Sequence, residues 1–536
     1  MQNDKFAPPP LDRQNDKFPQ PIGFIPGQPQ PGYPQPGYPQ PGHPPQGYPA
    51  YTTPADTYGH PPPPPPPQPP RDPPTRVDPP REGCFKRNRK NKPQSNAVSP
   101  AGLIFLSGGM NIAWAIGFRG PIYYSSTTHN YVAWFIGAFI GALLSILLAN
   151  RLAKKYSLLI ASLLVTIGGF VIACTHNNGP ATVAACYLDG IANGLVFAPF
   201  VALAGEVTVP YMRGGVTASL EQLCFGVGIL LQIVYSVSWT YPYYQSYNDY
   251  TPENMKGVLS ALFGILATIY GFLCIIESPV QMLVNDDEQG ALDALRRLQK
   301  PSVLTEETYD LLAQHKRYVA HNKDLSSGEK LSQTSLTFIR LAYLRVLNAM
   351  SLSSFVTTTL SLSIYLSYGL SAEQLWFILF ALCRWAGTII PTFFMDSLGR
   401  KLPTVFGLLL SSAFAFAVGA KFSYYNYMSG VTILLSVFEF FAGMASSATS
   451  SYLSEAYPLE FKQPAIALTF IIEMFVFFII RFCNYNFMQG DNYFYVMGAM
   501  YLVGFILGVI SLPETKRMTL RGAQVQFSSF INKKFN

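Results

Sequence analysis

Twelve apolar stretches, each near the roughly 20 residues that carry a helix across a bilayer, fall at about 99–118, 130–149, 157–175, 182–203, 215–236, 257–276, 343–364, 374–394, 402–420, 430–452, 464–486 and 495–512. Hydrocarbon offers no partners to backbone N–H and C=O groups, so runs of this length must satisfy them internally as helices. An all-α membrane protein is therefore expected. Only 12% of the residues are charged against 49% hydrophobic, which excludes a string of ordinary soluble domains.

Three charged motifs at the ends of these stretches occur twice, in the same order. Asn150-Arg151-Leu152-Ala153-Lys154-Lys155 is echoed by Asp396-Ser397-Leu398-Gly399-Arg400-Lys401. Glu206 with Arg213-Gly214 is echoed by Glu455 with Lys462, and Glu277-Ser278-Pro279 by Pro513-Glu514-Thr515. The repeated unit is thus a six-helix bundle. Two such halves facing each other across a central cavity make the architecture of a solute carrier.

Of the 44 prolines, 31 lie in the first 100 residues, among Pro-Gly-Tyr-Pro-Gln repeats and the run Pro61 to Pro67. Such a segment buries too little apolar surface to offset its ordering entropy, and disorder with polyproline II character is expected. It serves as an inert spacer or as a docking strip for SH3 or WW modules. The basic cluster Lys86, Arg87, Arg89, Lys90 and Lys92 precedes the first span, where it holds the N-terminus in the cytoplasm and attracts anionic lipid. Alternate connections carry most of the remaining Lys and Arg. The outer ones have only Arg119, Lys256 and Lys421, which places both termini in the cytoplasm of a multi-pass protein, assigned to the plasma membrane.

The organisation that follows is a disordered tail over 1–97, a six-helix half over 98–276, a cytoplasmic linker over 277–341, a second half over 342–512 and a C-terminal tail over 513–536. An amphipathic helix is expected in the linker around Glu288, Ala291, Leu292, Leu295 and Leu298. The seven cysteines are scattered without metal-ligand spacing. Cys174 and Cys186 flank one short outer loop, and their pairing stays open. No metal, no cofactor, no nucleic-acid partner and no catalysed reaction are expected.

At the repeated motifs, and at Ser454-Glu455-Ala456-Tyr457-Pro458, the chain resembles the major facilitator superfamily. Within it the likeness is to the sugar porter family, and nearest to the insect trehalose and glucose facilitator type. The resemblance covers about 99–520. It implies a conformational latch of ion pairs at the cytoplasmic helix ends, with Glu206, Arg213, Asp396, Arg400, Glu455 and Lys462 as members; ordinary topology charge is the alternative. Asn150 and Ala153 replace the acid and glycine of the family's first loop, so that side of the latch should be weaker and its turn built differently.

The resemblance also implies a solute ligand at Gln222, although the count from Arg213 is one residue longer than usual. Other ligands are missing. Leu347 to Phe355 lacks the family's paired glutamines, Ser450 and Met474 stand where tryptophans are common, and Gly109 to Trp114 lacks the carboxylate of proton-coupled members. Facilitated diffusion is thereby favoured over symport.

Glu473, Arg384, Glu439, Asp189 and Glu221 fall inside apolar stretches, where each costs about 2.5–3.5 kcal/mol unless paired or facing water. Glu473 and Arg384 are read either as a buried structural pair or as ligands of the solute. The expected function is transport of a small polar solute, a sugar first by resemblance. A non-sugar solute, charged ones included, is the second reading, and a receptor or scaffold acting through its proline-rich tail is the third.

Overall fold

The computed structural model describes residues 76–120, 124, 126–149, 151–239, 250–369, 373–422, 428–483 and 490–529. The expected disorder of the proline-rich tail falls, up to residue 75, outside the described residues. The first half consists of α1 (Cys84–Ile116), α2 (Thr128–Leu147), α3 (Lys154–Cys174), α4 (Gly179–Val207), α5 (Arg213–Ser238) and α6 (Pro252–Cys274). The linker forms α7 (Pro279–Val284), α8 (Glu288–Arg297) and α9 (Glu306–Asp324). The second half comprises α10 (Ser327–Ser351) with α11 (Ser354–Tyr368), α12 (Glu373–Leu398), α13 (Lys401–Phe422), α14 (Val431–Ser446) with α15 (Thr449–Ala456), α16 (Leu459–Cys483) and α17 (Gly490–Ser511). A short α18 (Leu520–Ser528) follows. Among the described residues, twelve spans are long and apolar enough to cross a membrane, two of them broken into paired helices.

The duplication is visible in the packing. In the first half α2 lies on α4 and α3 on α6; in the second, α12 lies on α14 and α13 on α17. Small residues permit these contacts. A Cβ on Gly194 would stand 2.1 Å from the Ala138 carbonyl and one on Gly387 1.9 Å from that of Phe440, so the backbones approach as they do in membrane helix pairs. The halves meet where α16 packs on α2 and α12 on α5. Leu147, Phe272, Leu273, Leu375 and Phe393 are more than half exposed, and these apolar side chains face lipid.

Two sequence boundaries are corrected. Residues 84–97 belong to α1 rather than to a disordered tail. Asn91, wholly buried, donates to the Tyr211 hydroxyl, Gln94 accepts from Val209 N at 3.0 Å, and Lys90 pairs with Glu307 of α9; these polar anchors hold the segment. The span assigned to 343–364 starts well before residue 343, because Ser326 and Glu329 form a capping box that begins α10 in the linker. The amphipathic helix is α8, with Ala291, Ala294 and Leu295 buried. Cys174 and Cys186 are both free thiols.

Lys256, read as an outer-loop charge, is wholly buried in α6. Its ammonium donates to Asn111 Oδ1 at 2.6 Å and lies over the Trp114 ring. Asp189 is likewise satisfied, by Ser107, by Trp134 Nε1 at 2.8 Å and by Asn193 Nδ2 at 2.9 Å. Both charges belong to a polar core within the first half.

Candidate functional site

The end of the bundle at which α1 begins and α17 finishes is tied by charges from both halves. Glu206 of α4 receives Lys154 of its own half at 2.9 Å and Lys462 of the other at 3.2 Å. Glu455 of α15 receives Arg400 of its own half and Arg213 of the other, the latter at 3.5 Å. The motif duplication is thus reproduced as geometry, since Lys154 and Arg400 occupy equivalent places in the repeats, as do Arg213 and Lys462. Asp396 adds a third crossing by accepting from Gly214 N at 3.0 Å and Gly215 N at 2.8 Å, while Arg400 stands 3.9 Å away. All six residues named from the sequence come together; Asp396 is the most exposed, at 21%, and the other five are at most 5% exposed. The counterpart of Asp396, Asn150, lies outside the described residues.

The third motif works in the same paired fashion. Glu277 accepts from Lys155 N at 3.0 Å, and Glu514 from Arg400 N at 2.9 Å and Lys401 N at 3.1 Å. Each caps the first turn of the helix after its loop, where carboxylates are favoured. The two loops turn differently, as expected from Ala153. Gly399 has φ +100° and no room for a side chain beside Glu514, whereas Ala153 has φ −59°. Outside the spans, the Arg400 guanidinium loses charge stabilisation to burial, but neighbouring Glu455, Asp396 and Glu514 more than offset this and hold its pKa above the ordinary value.

Beyond these charges, among the described residues, three spans depart from regular geometry near one cavity. α5 contains a π turn at Ser219–Leu223, the seventh span breaks between Ser351 and Ser354, and the tenth between Ser446 and Thr449. A π turn holds one residue more than an α turn. That absorbs the extra residue counted between Arg213 and Gln222, so both the Arg213 end of α5 and its cavity face keep their registers.

The cavity is lined by Glu221, Gln222, Arg345, Asn348, Arg384 and Glu473, beside the rings of Phe225, Phe470 and Phe477 and the Met474 side chain. Its volume is about 30 Å³, room for a water or two. Arg345 holds Glu221 with both terminal nitrogens, Nη2 to Oε2 at 2.7 Å, and reaches Glu473 Oε2 at 3.2 Å. Asn348 donates to Glu473 Oε1 at 2.6 Å and accepts from Arg384 Nη2 at 2.5 Å. Arg384 Nη1 pairs with Glu439 at 3.0 Å and donates to Ser351 at 2.9 Å. Gln222 donates to Glu221 at 2.8 Å and to Thr449 at 3.3 Å.

Gln222, Glu473 and Arg384 therefore share one cavity, but the direct Glu473–Arg384 ion pair is corrected. Glu473 is paired with Arg345, Arg384 with Glu439, and Asn348 bridges the two pairs. Arg345 and Asn348 were missed as site residues. They sit three residues apart in an apolar stretch, hence on one helix face, and that spacing was the signal available.

Toward the opposite end the halves close on each other through Thr357 Oγ1, which donates to the Ile116 carbonyl at 2.6 Å, and through the edge contact of Phe118 with Phe377. Beyond it lies a vestibule of about 560 Å³ with Arg119 and Arg481 in its wall. Both cations lie over the Tyr131 ring, at 3.6 and 4.4 Å.

The family described as Sugar (and other) transporter matches residues 90–527. The chain belongs to this family. Sugar transporters of the major facilitator type are carriers rather than enzymes, and this member keeps their twelve-span, two-half plan. Among solved structures, the proton:xylose symporter XylE bound to 6-bromo-6-deoxy-D-glucose is similar over 82% of this chain and 99% of its own, with 17% identity and a TM-score of 0.68. The partially occluded inward-open xylose transporter XylE from E. coli has 19% identity over 80% and 99%, with a TM-score of 0.59. The human organic anion transporter MFSD10 has 17% identity over 78% and 99%, with a TM-score of 0.53. At these identities the likeness is one of fold. No curated protein matches the chain.

Proposed function

We propose that this family member moves a small polar solute, a sugar, by alternating access and facilitated diffusion. The observation that carries this reading is the cavity on the seam of the halves. It combines fixed amide, carboxylate and guanidinium groups with the faces of Phe225, Phe470 and Phe477, the pairing of hydroxyl partners with ring surfaces that a sugar needs. Gln222, Glu473 and Arg384 contact the solute. Glu206, Arg213, Asp396, Arg400, Glu455 and Lys462 form the latch, which opens when the halves 98–276 and 342–512 rock apart. XylE is described as a proton symporter. Here α1 presents no carboxylate over Gly109 to Trp114, which favours diffusion.

The bias of Lys and Arg toward the latch end supports cytoplasmic termini, and the membrane we assign is the plasma membrane. The proline-rich tail then offers SH3 or WW modules a cytoplasmic ligand.

One observation favours a second reading. Among the described residues, Glu221, Glu439 and Glu473 face only Arg345 and Arg384 in the central network, an excess of one negative charge that suits a solute with a cationic group. Flux in proteoliposomes, with a sugar series, organic cations and imposed pH gradients, separates the two. Uptake of a sugar, saturable and indifferent to the pH gradient, is expected. Uptake of cations alone would replace the first reading with the second. Gradient-driven accumulation would replace diffusion with symport. If no solute moves while the tail captures SH3 or WW proteins, a scaffold role replaces transport.

A further inference from the structure

We infer that a groove on the seam between α5 and α12, at the end where α1 begins and α17 finishes, is a binding site for one anionic phospholipid. The groove has a volume of about 1230 Å³ and is walled by α1, α5 and α12. Its apolar wall includes Val98, Leu220, Leu223, Phe393 and Phe394, and Phe85 stands at its edge with 83% of its surface exposed. Its charged lining has the opposite character, with Arg87, Arg89, Lys92, Lys300 and Arg517 against a single acid, Asp396. That acid is already engaged by the amides of Gly214 and Gly215. Arg87 lies over the Tyr211 ring and Arg517 lies near Asp78. Among the described residues, Arg89, Lys92 and Lys300 make no ion pair.

An apolar slot between membrane helices, with a basic rim where helix meets water, matches a ligand with acyl chains and a phosphate-bearing headgroup. The chain's own residues 1–75 fit less well. Their charges are Asp4, Asp12, Asp16, Asp56 and Asp72 against Lys5, Arg13, Lys17 and Arg71, scattered and nearly balanced, with no acidic cluster to meet five cations. The groove lies beside the Asp396 crossing, so its walls belong to both halves. A lipid seated there favours the arrangement in which the groove exists. The choice of the cytoplasmic leaflet rests on the topology proposed above; the site itself does not.

The test uses full-length protein in phosphatidylcholine nanodiscs, with phosphatidylglycerol added and bound lipid measured by native mass spectrometry. One saturable site is expected. The triple variant R89Q/K92Q/K300Q should weaken it roughly a hundredfold, at about fivefold for each removed charge. S99W, which narrows the slot without touching a charge, should weaken it independently. Millimolar glycerol 3-phosphate or inorganic phosphate should not displace the lipid. Retention unchanged in both variants would overturn the proposal. Displacement by the soluble phosphates would assign the site to a free anion instead. A gain in lipid binding on deleting residues 1–75 would make the tail the resident. Because binding is read without transport, failure here leaves the flux experiment untouched.

Discussion

Arg213 of the first half reaches across the seam to Glu455 of the second, at 3.5 Å, while the acid remains bound to its own Arg400. The reverse crossing, Lys462 to Glu206, is built on the same plan. Each acid is therefore shared between an internal base and an imported one. In the alternating access proposed above, opening this end would remove the imported base and leave the internal pair intact, so neither carboxylate would be stranded without a charge. That lowers the electrostatic cost of rocking in a buried site.

Glu455→Gln removes the acid that serves both halves and leaves two arginines facing each other. The closed arrangement of this end should lose population several-fold or more, since a near-balanced equilibrium responds to 1–2 kcal/mol. Thiol labelling of a cysteine introduced at Ser451, buried and bonded across the seam to Thr217, should accelerate. Unchanged labelling would return these charges to a topology role. Arg400→Ala should act in the same direction.

The central network predicts which double mutants couple. Glu473 with Arg345, and Arg384 with Glu439, should show interaction energies of about 0.5–3 kcal/mol in thermal stability, and Glu473 with Arg384 clearly less, because Asn348 stands between them. A strong Glu473–Arg384 coupling would contradict the described pairing.

Deleting Ser219 should convert the π turn to an ordinary helix, after which α5 cannot keep Gly214 against Asp396 and Gln222 in the cavity at once. Solute flux should fall at least about tenfold while insertion persists, since a small misplacement of binding groups is costly. Undiminished flux would deprive the turn of any positioning role.

His315 of α9 is buried in the linker, and burial first, with the nearby Arg213 and Lys462 adding to it and Glu206 opposing, lowers its pKa from 6.5 to about 4. The folded protein holds it neutral, so the unfolded state binds the extra proton between these values. The contribution is full above pH 6.5 and is lost as pH falls toward 4, to a limit of about 3 kcal/mol. Thermal stability of the detergent-solubilised protein should drop between pH 7 and pH 4.5, and less so in His315→Gln. Equal drops in both would acquit this residue.

The spans, the duplication and the charges that meet at the helix ends were legible because each has a one-dimensional signature: a run length, a repeat, a charge at a helix end. The pairing inside the cavity was not, because Arg345, Arg384, Glu221, Glu439 and Glu473 offer several neutralising combinations. Only the rotation of each helix chooses among them. Lys256 misled for a related reason, since a charge four residues into α6 reads as a loop residue until Asn111 and Trp114 are seen to receive it. The extra residue before Gln222 was visible as a count, but only the backbone revealed that it winds into the helix instead of displacing the side chain.

Val77 N donates to the Arg517 carbonyl at 2.9 Å, and Arg517 lies 3.4 Å from Asp78, so the strand-like entry to α1 is stitched to the exit from α17. Fluorophores attached near these two points would sit close together and travel as one, giving a bright but uninformative distance. Reporters of the working cycle belong instead on segments that the seam divides, such as the ends of α5 and α12. An affinity handle fused after α18 would have to be checked for pulling that stitch apart.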